Sequence, residues 1–465
     1  MGTIKKSHLV HFIGIGGCGM SAIAKIMFAH GYQISGSDIK ETVNTIRLRD
    51  KGIKVNIGHD REYIRNADII VVTAAIRDDN DELCAAREKK IPVMKRAEVL
   101  AWLMDRHEIK IAVGGTHGKT TTTGMLATLL EHQKYHPTFS VGGDVNEFNT
   151  NAKAGDGRYF ATEADESDGS ILFLSPTIFI LTNIEEDHLE YLGNLENIEN
   201  LFWKVIDKLP ENGLLIINYD NSSCKQIAAR VRTEKPGLKV LTYGQGEDAD
   251  YHISVIEFDR YSSRAKIFHG RKPLGELELN VPGVHNLENA CAIVALAEEI
   301  GLSFHQVQAS LKSFMGTKRR FQLIGEARGV TIIDDYAHHP SEIKATLAAA
   351  KNGFKSRIIC VFQPHRYTRT MFFSEEFSKA FSDADVAIIT DVYSAGESPI
   401  QGVSGHSIFG EMNNGTKSVY VPKKEAISTK ALELLQDGDI FLTMGAGDIH
   451  TVAKETLMRL RNRKT

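Results

Sequence analysis

The chain has 465 residues, 42% of them hydrophobic and 25% charged, a balance that builds cores and excludes wholesale disorder. At roughly 100–200 residues per domain it holds two to four domains. A net charge of −4 excludes a global basic pull toward nucleic acid, and no apolar run reaches the length of a membrane span.

In chain order, the first block covers residues 1–107. Lys5-Lys6 before the apolar stretch Leu9–Met20 imitates a signal peptide, but four glycines and a periodic segment behind them read as strand, turn and helix. Leu9–Ile15 is a buried strand and Met20–His30 a helix. Gln33–Ser37, Lys54–Ile57 and Ala67–Thr73 are further strands, and Asp81–Lys89 is a helix. The second block covers 108–316. Strand Lys110–Val113 enters a glycine loop followed by helix Thr121–His132. Strands Thr138–Gly142, Tyr159–Glu163, Thr177–Asn183 and Gly213–Asn218 follow, then alternating runs between Ala249 and Val281 that predict small antiparallel hairpins, then helix Asn286–Gly301. The third block, 317–465, has strands Val330–Asp334, Arg357–Phe362, Ala384–Thr390, Ser418–Val421 and Ile440–Met444. Its helices are Ser341–Lys351, Met371–Phe381, Lys424–Leu435 and His450–Arg461. Repetition of strand, glycine turn and helix predicts α/β domains with largely parallel sheets. The cysteines, Cys18, Cys84, Cys224, Cys291 and Cys360, form no CxxC or Cys/His cluster. That fits reduced thiols in the cytoplasm and speaks against a zinc site or disulfide framework.

The central motif is Gly114-Gly115-Thr116-His117-Gly118-Lys119-Thr120, followed by Thr121. Glycines let the backbone curl so that several N–H groups face one anion, and the helix N-terminus adds partial positive charge. Lys119 can reach the outer phosphates of a triphosphate, and the Thr120 hydroxyl can ligate Mg²⁺. The loop is one residue shorter than G-x-x-x-x-G-K-[ST]. Upstream, Gly14-Ile15-Gly16-Gly17-Cys18-Gly19 fits G-x-G-x-x-G, and Asp38 lies 19 residues after Gly19. That arrangement suits NAD, any other diphosphate-bearing ligand, or a tight turn with no ligand, with Asp38 placed for a sugar hydroxyl. Glu163-Ala164-Asp165-Glu166-Ser167-Asp168 sets four carboxylates in six residues. Alone it reads as a solvated acidic turn; near a phosphate loop, metal binding is the better reading. Asp187-His188 sits at a similar strand end. Asp334-Asp335-Tyr336-Ala337-His338-His339-Pro340 and Gln363–Arg369 follow apolar strands and suit phosphate or carboxylate contacts more than a metal.

Together these segments resemble the Mur ligase family, and within it the branch that adds alanine. The resemblance spans nearly the whole chain. It includes His11–Gly17, Ser35–Asp38, the phosphate loop, Glu163–Asp168, Thr182–His188, His285–Asn289, Arg319–Phe321, Asp334–Pro340, Gln363–Thr370 and Met444–Asp448. It implies three α/β domains. The first is Rossmann-like and binds a UDP-sugar through Gly14, Gly16, Gly17, Gly19 and Asp38. The second is a central phosphate-loop domain with a small antiparallel sheet. The third is a C-terminal Rossmann-like domain that closes over ATP and the amino acid. It further implies that Lys119 binds phosphate, and that Thr120, Glu163 and His188 ligate two Mg²⁺ ions. Asn289 would touch adenine, and Arg320 and Asp335 the nucleotide's phosphate and ribose. Tyr336, His338, Arg366 and Arg369 would lie near the amino acid and the reacting phosphate. Some relatives bridge the second metal with a carbamylated lysine; Lys204 lies at a fitting distance after His188, but the modification is not assigned to this branch.

The implied reaction activates the carboxylate of UDP-N-acetylmuramate with ATP to an acyl phosphate, which the amine of L-alanine then attacks. The catalytic set would be Lys119, Glu163, His188, His338 and Arg366, in a monomer or homodimer. One rival attaches a recycled murein tripeptide to the same UDP-sugar; that family has a tyrosine where Ser167 stands. A rival from another class, an NAD-dependent oxidoreductase, leaves the Gly114–Thr120 loop without a role. A nucleotide-switched binding protein would hydrolyse ATP without needing a sugar acid or an amine.

Overall fold

The computed structural model describes residues 4–74, 76–412 and 415–463. Three sheets follow one another along the chain, as the α/β pattern predicts. The first has strands β1 (Leu9–Ile13), β2 (Gln33–Asp38), β3 (Lys54–Ile57), β4 (Ile69–Val72) and β5 (Val93–Lys95), in the order β3-β2-β1-β4-β5. All its pairings are parallel. Alternating helices supply the crossovers that parallel strands require, and the β1 core residues Val10, Phe12 and Ile13 are fully buried.

The second set comprises β6 (Ile109–Gly114), β7 (Thr138–Val145), β8 (Thr150–Lys153), β9 (Tyr159–Glu163), β10 (Ile178–Leu181), β11 (Leu214–Asn218) and β12 (Lys239–Gly244). They lie in the order β12-β11-β10-β6-β9-β7-β8. β6 is central: Ile178–Leu181 pairs with Ile111–Gly114 on one side, and Tyr159–Glu163 pairs with Ile109–Val113 on the other, both parallel. The glycine loop therefore leaves the carboxyl end of an interior strand, where α/β sheets bind ligands. At the end of β12, Tyr243 and Gly244 pair with β13 (Tyr251–Asp259). The hairpins β13-β14-β15 continue with β14 (Ser262–His269) and β15 (Lys272–Leu279), antiparallel as the alternating pattern predicts.

The third sheet has β16 (Gln322–Ala327), β17 (Val330–Asp335), β18 (Ile358–Phe362), β19 (Val386–Ile389), β20 (Lys417–Tyr420) and β21 (Ile440–Met444), ordered β16-β17-β21-β18-β19-β20. Only the β16–β17 pairing is antiparallel. Cores lie on both faces, one around Phe362, Phe377 and Phe381 and the other around Ile359, Val361 and Phe441.

Contacts divide the chain into two compact units. The first holds residues 1–115, 122–183 and 199–242; the second holds 116–121, 184–198 and 243–465. The helix expected over Met371–Phe381 is two short ones, Tyr367–Phe372 and Ser374–Ser378. Phe373 separates them with a non-helical backbone, since its ring packs edge-on against His339 and joins the core. Among the described residues no helix is long and apolar enough to cross a membrane, and the five cysteines form no disulfide.

Candidate functional site

In the first unit the glycine fingerprint turns at the carboxyl end of β1. The N–H groups of Gly14 and Ile15 donate to the Ser37 carbonyl at 2.8 and 3.0 Å, and Gly14 holds a φ of +82°. The Gly16 N–H donates to Asp38 Oδ2 at 2.8 Å, and a Cβ on Gly16 would stand 2.8 Å from that same oxygen. The buried Asp38 carboxylate thus braces the loop from beneath, a task additional to the sugar contact expected of it. Gly17 caps the helix Cys18–Ala29, and a Cβ on Gly19 would come within 3.1 Å of Arg96.

The same unit places Glu163 at the end of β9. Its Oε1 accepts the Gly142 N–H from β7, and a Cβ on Gly142 would lie 2.7 Å from Oε2. In the next peptide, the Cys18 thiol donates to the Gly142 carbonyl at 2.9 Å. One residue, Gly142, therefore joins the candidate metal carboxylate to the glycine fingerprint. Burial raises the Cys18 thiol to about 11, so it acts as a neutral donor. Gly114 packs under Phe179, and Gly115 (φ +124°) has no room for a Cβ, which would meet Thr182 Oγ1 at 2.1 Å.

The second unit holds Thr116–Thr121. Lys119 Nζ donates to the Thr116 carbonyl at 3.0 Å, and the Thr116 hydroxyl accepts the Glu185 N–H at 2.9 Å. Lys119 opens the helix Lys119–His132; Thr120 is half-buried and Thr121 buried in its first turn. Gly118 (φ +84°) lies against Asn289, whose Oδ1 would be 2.8 Å from a Cβ there. Asn289, expected at adenine, thus packs on the phosphate loop.

The expected cationic and polar residues of this unit converge on acids. His117 Nδ1 lies 3.1 Å from Glu342 Oε1 and Arg320 Nη1 lies 3.6 Å from the same oxygen. Glu342 Oε2 accepts the His338 N–H at 2.9 Å. Arg369, buried, directs Nε and Nη2 to Asp187 Oδ1 at 3.0 and 2.8 Å. Arg366 reaches Glu190 at 2.9 Å, and His188 stands 3.6 Å from both Asp187 and Glu190. Arg319 and Arg320 lie over the Tyr336 ring at 5.0 and 5.2 Å. Asp335 accepts the N–H groups of Phe321 and Ala337 at 2.6 and 2.7 Å, so it knits the turn together besides any ribose contact. Glu185, Glu190, Ser341 and Glu342 were not singled out from sequence. Glu342 had a signal, standing three residues after the helix cap His339 as in a capping box. Glu190 had none.

Electrostatics follow this convergence. Burial works against charge on His117, but Glu342 and then Glu185 outweigh it and raise the imidazole to about 9. Burial would raise Glu185, but its hydrogen bond and charge interaction with His117 bring it down to about 2. Burial dominates at His338, held down to about 3, and at His285, held down to about 4. Burial and then neighbouring cationic groups hold His365 at about 2. Burial lifts Asp335 to about 6 against the pull of Arg320. Backbone strain gathers here too. His188, Arg319, Phe321 and Arg366 take φ values of 51°, 62°, 47° and 70°, conformations that non-glycine residues hold mainly where the surroundings over-determine them.

Family models match three successive stretches: "Mur ligase family, catalytic domain" over residues 9–108, "Mur ligase middle domain" over 113–297, and "Mur ligase, glutamate ligase domain" over 319–447. A UDP-N-acetylmuramate–L-alanine ligase from Pelotomaculum thermopropionicum is 48% identical over 460 residues, 98% of each chain. The chain belongs to the Mur ligase family. Among solved structures it is similar to the UDP-N-acetylmuramate-alanine ligase of Thermotoga maritima, with a TM-score of 0.83 and 31% identity over 98% of this chain and 100% of that one. A murein peptide ligase from Psychrobacter arcticus shares the Mur ligase fold, with a TM-score of 0.72 and 23% identity over 99% and 100% of the two chains.

Proposed function

We propose that this Mur ligase joins L-alanine to the carboxylate of UDP-N-acetylmuramate in the cytoplasm, converting ATP to ADP and phosphate, as a step in peptidoglycan precursor synthesis. The observation that carries the reading is the Gly114–Thr120 loop. It leaves the carboxyl end of an interior strand, with Gly115 and Gly118 in conformations and spaces that exclude a Cβ. Such a loop presents backbone N–H groups to phosphate oxygens. Full-length similarity to alanine-adding relatives supports the choice of substrates.

Roles follow by domain. Residues 1–107 hold the UDP-sugar through the Gly14–Gly19 loop and Asp38. Residues 108–316 hold the triphosphate on Gly114–Thr121, with Asn289. Residues 317–465 supply Arg320, Asp335, Tyr336, His338, Arg366 and Arg369 to the nucleotide, the amino acid and the reacting phosphate. The Thr120 hydroxyl and the Glu163 carboxylate are hard oxygen donors suited to Mg²⁺, and the Gly142 N–H that Glu163 accepts orients its carboxylate. His188 completes the metal set. Mg²⁺ bound there neutralises phosphate charge, so that two anions can approach. Lys119 shares that task at the transferred phosphoryl group.

The test is phosphate release from ATP with UDP-N-acetylmuramate and a panel of amino acids. The expected result is a peak for L-alanine. Equal or greater turnover with a murein tripeptide would transfer the chain to the recycling reaction. Lys119→Ala should lower kcat by at least about 10²-fold; near-full turnover by the folded variant would refute the loop assignment.

A further inference from the structure

The Mg²⁺ assignment leaves one cluster of ligating side chains unexplained. His117, Glu185 and His339 direct one ligand atom each to a common point, all within 4.8 Å of one another. His117 Nε2 and Glu185 Oε2 are 3.4 Å apart, and His339 Nδ1 and Glu185 Oε2 are 3.9 Å apart. Ligand atoms about 2.1 Å from a tetrahedral ion stand about 3.4 Å from one another, so the three need only a small contraction to share one.

The remaining ring nitrogens make the case. His339 Nε2 faces the Glu186 carbonyl at 3.0 Å. A carbonyl only accepts, so Nε2 carries the hydrogen and Nδ1 turns its lone pair inward. His117 Nδ1 faces the Glu342 carboxylate at 3.1 Å and is fixed as a donor, so a cation that displaces the Nε2 proton would meet the Nε2 lone pair on the same side as the other two ligands. Histidines that ligate metals are typically anchored in this way, by a carboxylate or carbonyl on the far nitrogen. At the focus lies the Ser341 hydroxyl, 2.7 Å from His339 Nδ1, 2.7 Å from Glu185 Oε2 and 3.1 Å from His117 Nε2. A hydroxyl has one hydrogen to donate, and at least two lone pairs compete for it. A cation would satisfy all of them.

We propose that His117, Glu185 and His339 form a further divalent-cation site, selective for zinc-class ions, with Ser341 or water as fourth ligand. Two imidazoles and a carboxylate favour Zn²⁺ or Co²⁺ over Mg²⁺, which takes oxygen donors. The ion would tie the phosphate loop, through His117, to the start of the helix Pro340–Phe354. Zn²⁺ would therefore compete with the loop's adjustment to a triphosphate and inhibit.

The test uses the full chain, stripped of metal and then supplied with excess Mg²⁺, titrated with Co²⁺ and followed by its visible ligand-field absorption. One equivalent should bind, with affinity at least tenfold lower in Glu185→Gln and His339→Gln. Zn²⁺ should raise the KM for ATP in the wild-type protein. Unchanged Co²⁺ affinity in both variants would overturn the site. X-ray absorption on the Zn²⁺-loaded wild type gives a check free of folding effects: two imidazoles in the zinc shell support the site, and a shell without imidazole overturns it. Mg²⁺-dependent phosphate release by the stripped protein is read separately, so failure here leaves the ligase reading standing.

Discussion

Arg369, proposed to lie near the substrate, is held in place by Asp187. Both side chains are almost wholly buried, at 3% and 6% exposure, and two guanidinium N–H groups converge on one carboxylate oxygen. Removing one partner leaves a buried charge uncompensated, which typically costs about 3–5 kcal/mol. Arg369→Met should therefore lower the urea midpoint strongly, and Arg369→Met with Asp187→Leu should recover part of the loss. Arg366 differs: its Glu190 partner is partly exposed, so Arg366→Ala should affect kcat far more than stability, as steady-state rates and a thermal melt would show. The sequence displayed every one of these cations, because charged residues behind apolar strands stand out. It hid their partners. Glu190 lies on the one-turn helix Leu189–Leu192, and its pairing with Arg366 spans a separation that no local pattern encodes.

At the level of elements, the strands carrying the site were legible and several helices were not. β10 is a continuous apolar run, and β6, β9, β17 and β21 are mostly apolar, interrupted by Lys110, Thr162, Thr331 and Thr443, the mark of strands buried on both faces. The helix Arg96–Met104, by contrast, is buried on most sides, so it lacks the one-sided periodicity that betrays a surface helix. Of β7 only Thr138–Gly142 was visible; β8, and the pairing of Val145 with Thr150 across a short turn, were not. That hairpin matters, since Gly142 donates its N–H to Glu163 and offers its carbonyl to Cys18. Gly142→Ala would press a methyl group into the carboxylate. Loss of such an orienting contact typically costs about 10–100-fold in metal affinity. The Mg²⁺ concentration for half-maximal rate should rise by that order in Gly142→Ala, and an unchanged Mg²⁺ requirement would separate Gly142 from metal binding.

For the whole molecule, buried neutral histidines set the acid limit. Burial, before any neighbouring charge, holds His285 at about 4 and His365 at about 2, against about 6.5 in an unfolded chain. Their folded values are depressed, so their contribution is complete above pH 6.5 and is lost as pH falls toward 4 and 2. In that window the unfolded state binds more protons, each adding about 1.4 kcal/mol per pH unit to the loss. Denaturant titrations at pH 7 and pH 5 should show the fall, and His365→Gln should lessen the slope. The α/β class and the order of the three sheets were readable from the recurrence of strand, turn and helix. The grouping into two units was not, because it depends on contacts between segments far apart in the chain.

That grouping bears on how the enzyme is born. Residues 116–121 and 184–198 belong with a body whose remainder starts at Tyr243. Chains emerge from the ribosome amino end first, and domains fold as units. The proposed triphosphate segment therefore lacks the body it packs with until the residues from Tyr243 onward, almost half the polypeptide, have been made.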